Sequence, residues 1–206
     1  MSVEKKIPLI PLLSDKKGRQ LYFDLGLDNP EFFTNDFSKL SIRALSWKQP
    51  FADLMLFDKI ETRTWSTKYR GWVLICASKT GYSVDQINKI SGVFQEQRII
   101  DVLEKYYDTF EKPINIKDRT GHAIAIGKLV DCRPMRKTDE NACFVKYKEP
   151  WTVTPLKKNG ELGKEKKKQL WCHIYDEVIP IVPFAWKGSQ GWRELTADQK
   201  KQIIIQ

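Results

Sequence analysis

Cysteine and histidine are scarce in this chain. Its 206 residues hold four cysteines (Cys76, Cys132, Cys143, Cys172) and two histidines (His122, His173), with no C-x-x-C pair. That spacing argues against a zinc framework and against a disulfide scaffold. Only Cys172 and His173 are adjacent, and neighbours on a strand point to opposite faces, which is wrong for joint ligation. Neither a metal nor a cofactor is expected. The cysteines read as buried structural thiols, kept reduced in a cytoplasmic protein. No apolar run approaches the ~20 residues that span a bilayer, so no membrane partner is expected. The opening MSVEKKIPLIPLL is a proline-broken apolar stretch with no small-residue cleavage site behind it, a poor signal peptide. Signals for nucleophilic catalysis are thin too. No serine lies in a nucleophile-elbow context, His122 reads as structural, and a Cys143 nucleophile would need a base that the sequence does not supply.

What is present is a globular composition, 41% hydrophobic and 12% aromatic, enough for one domain with an addition. The formal charge is +9, from 35 Lys and Arg against 26 Asp and Glu. An excess of that sign favours polyanions through counterion release and steering. Residues 1–40 read as an extension to a main domain at 41–206. KIPLIPLL and GRQLYFDLGL flank Ser14–Gly18 like a hairpin, Pro8 and Pro11 confine the first run to an edge, and EFFTNDFSKL follows as a turn or short helix. The extension is read as a flap on the core; a docking surface for a protein partner is the alternative.

From there the pattern is strand-rich. SIRALSW (41–47) is the first core strand, and Pro50 opens a short amphipathic helix over 50–57. Ile60–Trp65 alternates, which places Glu61, Arg63 and Trp65 on one face about 6.7 Å apart. A basic turn, Thr67–Gly71, leads into a buried strand, Trp72–Ala77. Ser83 and Gln86 spell a capping box for a helix that Gly92 stops. A second helix over 95–110 sets Ile99, Val102, Leu103, Tyr106 and Phe110 on one side and ends by Pro113. Gly121–Cys132 is a strand in which Gly127 marks a bulge or close backbone approach. Arg133–Pro134 begins an irregular connection, and residues 144–154 are strand or loop. A loop over 156–169 carries six lysines and two glutamates, a local charge of +4. Two last strands (170–178 and 181–187), a glycine-framed turn Lys187–Trp192 and a short helix capped by Thr196 complete the chain. The sum is an α+β fold, a small mixed, mostly antiparallel β-barrel with flanking helices.

Several short motifs recur together in order: Gln49-Pro50-Phe51-Ala52, Glu61-Thr62-Arg63-Thr64-Trp65, Tyr69-Arg70-Gly71 and Ala77-Ser78-Lys79, then the 121–132 strand and Lys187-Gly188-Ser189-Gln190-Gly191-Trp192. Over roughly residues 41–195 this resembles the activating-signal-cointegrator homology (ASCH) family. The resemblance implies a PUA-like β-barrel, RNA or DNA binding, and in some bacterial members hydrolysis of modified nucleosides such as acetylated cytidine. The family pattern is Gly-x-Lys-x-x-Glu-x-Arg. Registered on Glu61 and Arg63, it puts Leu56 at the glycine and Asp58 at the lysine. Lys59 is one residue off and would face the other way on an extended segment. An irregular backbone at Phe57–Asp58 would bring it back. In the amidohydrolase branch the lysine is catalytic and a threonine stands where this chain has Glu61.

Each candidate has a plain reading beside its functional one. Glu61 and Arg63 are either a same-face ion pair or the mouth of the barrel, with a carboxylate to accept from a base amino group and a guanidinium to donate to a base edge or phosphate. Trp65 is core, or a half-exposed platform for a base. Lys48, Lys68, Arg70 and Lys79 are a solvated face or phosphate contacts. The turn of Lys187, Gly188, Ser189, Gln190 and Trp192 is a tight turn, or a loop whose amides approach an anion and whose Gln190 reads a base edge. The lysine loop serves solubility, or as an electrostatic arm. The first functional expectation is therefore a module that binds RNA or another single strand, holding a base or modified nucleotide between Lys48–Gln49, Glu61–Arg63–Trp65 and Lys187–Trp192. The alternative is a small hydrolase of modified nucleosides or RNA, with Glu61 as general acid/base and Lys59 or Lys187 polarising the substrate.

Overall fold

The strand β3, Gly71–Ala77 (GWVLICA), is apolar without alternation, the pattern of a strand covered on both faces. In the computed structural model, which describes residues 37–107 and 119–205, both faces are buried. Trp72, Leu74 and Cys76 point into one core with Ile42, Ile126 and Ile181. Val73, Ile75 and Ala77 point into another with Leu45, Ile124 and Leu129. Each such aliphatic side chain contributes about 1.5–3 kcal/mol when fully buried.

β3 is central in a six-stranded sheet ordered β2-β7-β4-β3-β1-β8. The other strands are β1 (Ile42–Trp47), β2 (Glu61–Arg63), β4 (His122–Pro134), β7 (Trp171–Ala185) and β8 (Arg193–Glu194). β1 and β3 run parallel, and every other neighbouring pair is antiparallel. The class is mixed α+β, with a mostly antiparallel sheet curled into a half-barrel and a few helices around it. The edge strands β2 and β8 do not pair with each other.

The connection from β1 towards β3 contains α1 (Phe51–Leu54), prolonged by a 3-10 turn, Met55–Phe57. Asp53 of α1 is fully buried and meets Arg119 at 3.3 Å. α2 (Val84–Ser91) has the capping box that its sequence spells: Gln86 N–H donates to Ser83 Oγ, and Ser83 N–H donates to Gln86 Oε1. Gly92 ends it, and α3 (Val93–Tyr107) follows. Ile99 and Leu103 of α3 pack with Leu54, Phe144 and Cys172, and Val102 adds to their edge. α4 (Glu140–Cys143) lies against the entrance to β2, where Ile60 N–H donates to Ala142 O at 2.9 Å. Phe110, Pro113, the Tyr106 side chain and residues 1–36 of the expected extension lie outside the described residues.

The structure corrects four sequence expectations. β2 ends at Arg63, so Trp65 lies beyond the strand. β4 continues through Arg133–Pro134, which pair with Cys172 and Trp171. The two expected last strands are one, β7, whose Pro180 and Pro183 sit where its register against β4 shifts, between Ala125↔Pro180 and Ala123↔Phe184. Proline cannot donate to a ladder, so it is accommodated at such an irregularity. The lysine loop contains a strand, β6 (Lys166–Lys168), which pairs with β5 (Trp151–Val153) as a separate two-stranded ribbon. Gly127 does mark a close approach. A Cβ there would lie 2.9 Å from Glu177 O.

Candidate functional site

The curl leaves a gap between β1 and β2, and a cavity of about 390 Å³ occupies it. β8 pairs with β1 only through Arg43 and Ala44, so Leu45–Trp47 run on past it and line one side. β2 and the residues around it line the other. Arg63 spans the gap: its Nη2 donates to Ser46 O at 2.8 Å and its guanidinium lies 5.1 Å from the Trp47 ring centroid.

The chain reaches this point through an irregular backbone. Asp58 is left-handed, with φ 54°, a conformation in which Asp is among the better-tolerated non-glycine residues. The turn brings Lys59 to the same side as Glu61. Lys59 Nζ donates to Glu61 Oε2 at 2.8 Å and to Ile60 O at 3.1 Å. Arg63 Nε lies 2.9 Å from Glu61 Oε1, an ion contact in which the N–H is not aligned on the oxygen and makes no hydrogen bond. The Lys59 and Glu61 side chains are only 1% and 8% exposed. Removing one member of such a buried group strands the others and costs about 3–5 kcal/mol. Burial would push the Glu61 carboxyl up, but Lys59 and Arg63 together outweigh it and hold the group below the ordinary carboxylate range. At neutral pH Glu61 is an anion, an acceptor and not an acid.

Aromatic residues frame the charged group. Trp65 is half-buried and meets His173 and Trp192 edge-on, with centroids 4.9 and 5.7 Å away. His173 pairs with Glu61 across the β2–β7 ladder, and its Nε2–H donates to Trp65 O at 3.1 Å. Burial lowers its pKa and so favours the neutral ring. Trp47 Nε1, on the cavity wall, is a buried donor without a hydrogen-bond partner among the described residues, as are Gln49 Nε2 and Trp192 Nε1. Lys48 reaches over the Tyr82 ring at 4.7 Å. With Lys48, Lys59 and Arg63 against Glu61, the lining carries three cations and one anion.

The segment near residue 190 meets the segment near residue 60 at this cavity. Ser189, Gln190 and Gly191 line it, and Gly191 has φ 74°, open to glycine without strain. Lys187 is exposed and outside the lining, its carbonyl accepting from Arg193 Nη1 at 3.4 Å. Gly188 sits against Ser46 Oγ, and Trp192 packs back onto Tyr69 and Trp65. Gln49 is buried, with Oε1 accepting from Asp53 N–H. Lys68, Arg70 and Lys79 also fall outside the lining. Arg70 is paired with Asp131 at 3.2 Å, and Lys79 lies alongside Gly121. Sequence reasoning missed Ser46, Trp47, Phe51, Thr62, Ser78 and Tyr82, all in the lining. The apolar end of SIRALSW pointed to Trp47 only as core; Tyr82 is placed by its N–H donating to Gln49 O, which nothing local announces.

Elsewhere the chemistry is structural. Cys143 and Cys172 are fully buried thiols 3.8 Å apart. The contact with Cys172, with burial, pushes the Cys143 thiol far up, the reverse of an activated nucleophile. Arg133 grips Asp139 through both oxygens at 2.7 and 2.8 Å. Among the described residues no group of three or more His, Cys, Asp or Glu is placed to hold a metal, and no helix is long and apolar enough to cross a membrane.

Fold and site together define a class by architecture: a mixed α+β protein whose curled sheet holds an aromatic, cation-rich cavity between two unpaired edges. In comparisons with known proteins, no family model and no curated sequence matches the chain.

Proposed function

We infer that the cavity receives one nucleotide, plain or modified, of a single-stranded nucleic acid, RNA foremost. The observation that carries this reading is the convergence, in about 390 Å³, of Glu61, Lys59 and Arg63 with Trp47, Trp65 and the Ser189–Gly191 loop. The base stacks on Trp65, as bases do on exposed indoles. Glu61 accepts from a base amino group, Arg63 donates to the base edge, and Gln190 and Ser189 reach it from the loop. The excess of cations selects an anionic ligand, with Lys48 at the rim and Lys68, Arg70 and Lys79 further out along the phosphate path. In this reading the chain is an ASCH-type, PUA-like module that works in the cytoplasm without a cofactor. Titration of a labelled mixed-sequence 12-nucleotide single-stranded RNA tests it. Affinity falls as salt rises, and Trp65→Ala weakens binding by about 1–3 kcal/mol. Salt-independent binding, or none lost with Trp65→Ala, rejects the reading.

One observation favours the hydrolase as a second reading: the left-handed Asp58 restores a buried lysine–carboxylate pair at the cavity wall. Glu61, held ionised, would then position Lys59, and Lys59 would polarise a substrate carbonyl. Lys187 lies outside the lining and has no part in this version. Acetylated cytidine and labelled RNA are the substrates to assay. Turnover that survives Glu61→Gln in a folded protein removes the hydrolase reading.

A further inference from the structure

No residue of β5 or β6 belongs to any of the three hydrophobic clusters of the described residues. Three residue pairs join it (Trp151↔Lys168, Thr152↔Lys167, Val153↔Lys166), and an isolated bridge, Leu156↔Leu162, continues it toward its tip. Residues 146–168 hold eight lysines and three glutamates, a net +5 out of the whole chain's +9. Lys157 is paired with Glu161 at 3.0 Å. Lys158, Lys164, Lys166, Lys167 and Lys168 have no ion-pair partner among the described residues. At the tip Leu156 and Leu162 are 71% and 70% exposed. A two-stranded hairpin is marginal on its own, and this one concentrates like charges that repel one another. An anionic partner relieves that repulsion.

The ribbon is rooted at the cavity. On its entry side Val145 lines the cavity and Lys146 N–H donates to Ile90 O, another lining residue. On its exit side Trp171 pairs directly with Arg63. A strand whose nucleotide entered the cavity would leave it past the base of the ribbon.

We propose that the 146–168 ribbon is a second binding element, an arm that takes the phosphates flanking the nucleotide in the cavity. It rests on the reading of the cavity given above. The ligand is then a polynucleotide and not a free nucleotide, because only a polynucleotide reaches both elements. The exposed leucine pair contacts sugars or unstacked bases. An anionic lipid surface is the less suitable occupant: interfacial binding relies on a broad apolar face with aromatic anchors, and the tip offers two leucines.

The experiment compares the full chain with a variant carrying Lys158→Gln, Lys164→Gln, Lys166→Gln, Lys167→Gln and Lys168→Gln. Three probes are used: the 12-nucleotide RNA, the four common nucleoside 5′-monophosphates, and phosphatidylserine-containing vesicles. These lysines are outside the core, so melting curves of the two proteins should superimpose. The expected result is a loss of RNA affinity of about tenfold or more and a salt slope shallower by about 0.7 per lysine engaged, with monophosphate binding unchanged. RNA binding that keeps its affinity and slope overturns the arm and leaves the cavity reading standing. RNA binding that depends on the lysines while no monophosphate binds, and Trp65→Ala has no effect, keeps the arm and rejects the cavity reading. Absence of RNA binding rejects both, and lysine-dependent vesicle binding without RNA binding assigns the ribbon to a membrane.

Discussion

Cavity and ribbon both gather charge, on opposite terms. At Glu61 an ammonium and a guanidinium each stand within 3 Å of one carboxylate, with the lysine and the carboxylate nearly withdrawn from water. Along the ribbon most lysines stand in solvent, and most have no ion-pair partner among the described residues. Buried charges interact strongly and are barely screened, so each depends on its partners for the fold itself. Solvated charges contribute little to stability and remain available to an outside ligand. One region closes its charges on one another inside the fold, while the other leaves its charges open to solvent.

The largest expected effect tests the buried half. Glu61→Ala leaves Lys59 buried and unpaired, and should cost about 3–5 kcal/mol in urea denaturation. A double-mutant cycle with Lys59→Met sharpens the point. The double variant should be clearly more stable than the sum of the single losses, since no uncompensated charge remains. Additive losses would mean that the pair is not coupled. Next in size is Gly127→Ala, whose Cβ would meet Glu177 O at 2.9 Å. Overpacking of that kind costs about 1–3 kcal/mol, and an unchanged melting temperature would deny the close β4–β7 approach.

Acid sets the two halves apart in another way. The folded carboxyl of Glu61 lies below its ordinary 4.5, and that of Asp139 is lowered from 3.8 to about 2 by its hydrogen bonds from Arg133. Each group therefore contributes stability that is present above its ordinary value and is lost as pH falls through the lowered one. Stability should begin to fall as pH drops below about 6.5, where unfolded His173 takes up a proton that the buried ring resists, and decline further below about 4.5 as the two carboxylates are protonated. The Glu61→Gln variant should show a shallower decline. The smallest expected effect is on the ribbon: its five lysine-to-glutamine changes should each alter stability by no more than about 0.5 kcal/mol.

Elements that write their own rules were legible in the sequence. The Ser83–Gln86 capping box, the Thr196 cap, the continuous apolar run of β3 and the isolated Gly127 each carry their physical reason within a few residues. Elements decided by tertiary context were not. β7 reads as two strands because its prolines look like breaks, and only the pairing with β4 shows where they fit. The lysines of β6 read as loop because like charges do not favour a strand until β5 pairs with them. At the site, the alternation of Glu61 and Arg63 placed both residues together, but the return of Lys59 depends on the dihedral angle of Asp58. Lys187 stops short of the cavity that Ser189 enters, a difference of two residues in an exposed turn that no periodicity governs.

Tryptophan fluorescence gives the most direct test of the cavity, because Trp47 and Trp65 line it and a stacked base quenches an indole. The 12-nucleotide RNA should quench emission saturably at low salt. The quench should shrink as salt rises, fall by the Trp65 share in Trp65→Phe, and be lost in Arg63→Ala that retains its fold. RNA binding with no change in tryptophan emission, or a quench indifferent to Arg63→Ala and Trp65→Phe alike, would contradict the reading of the cavity.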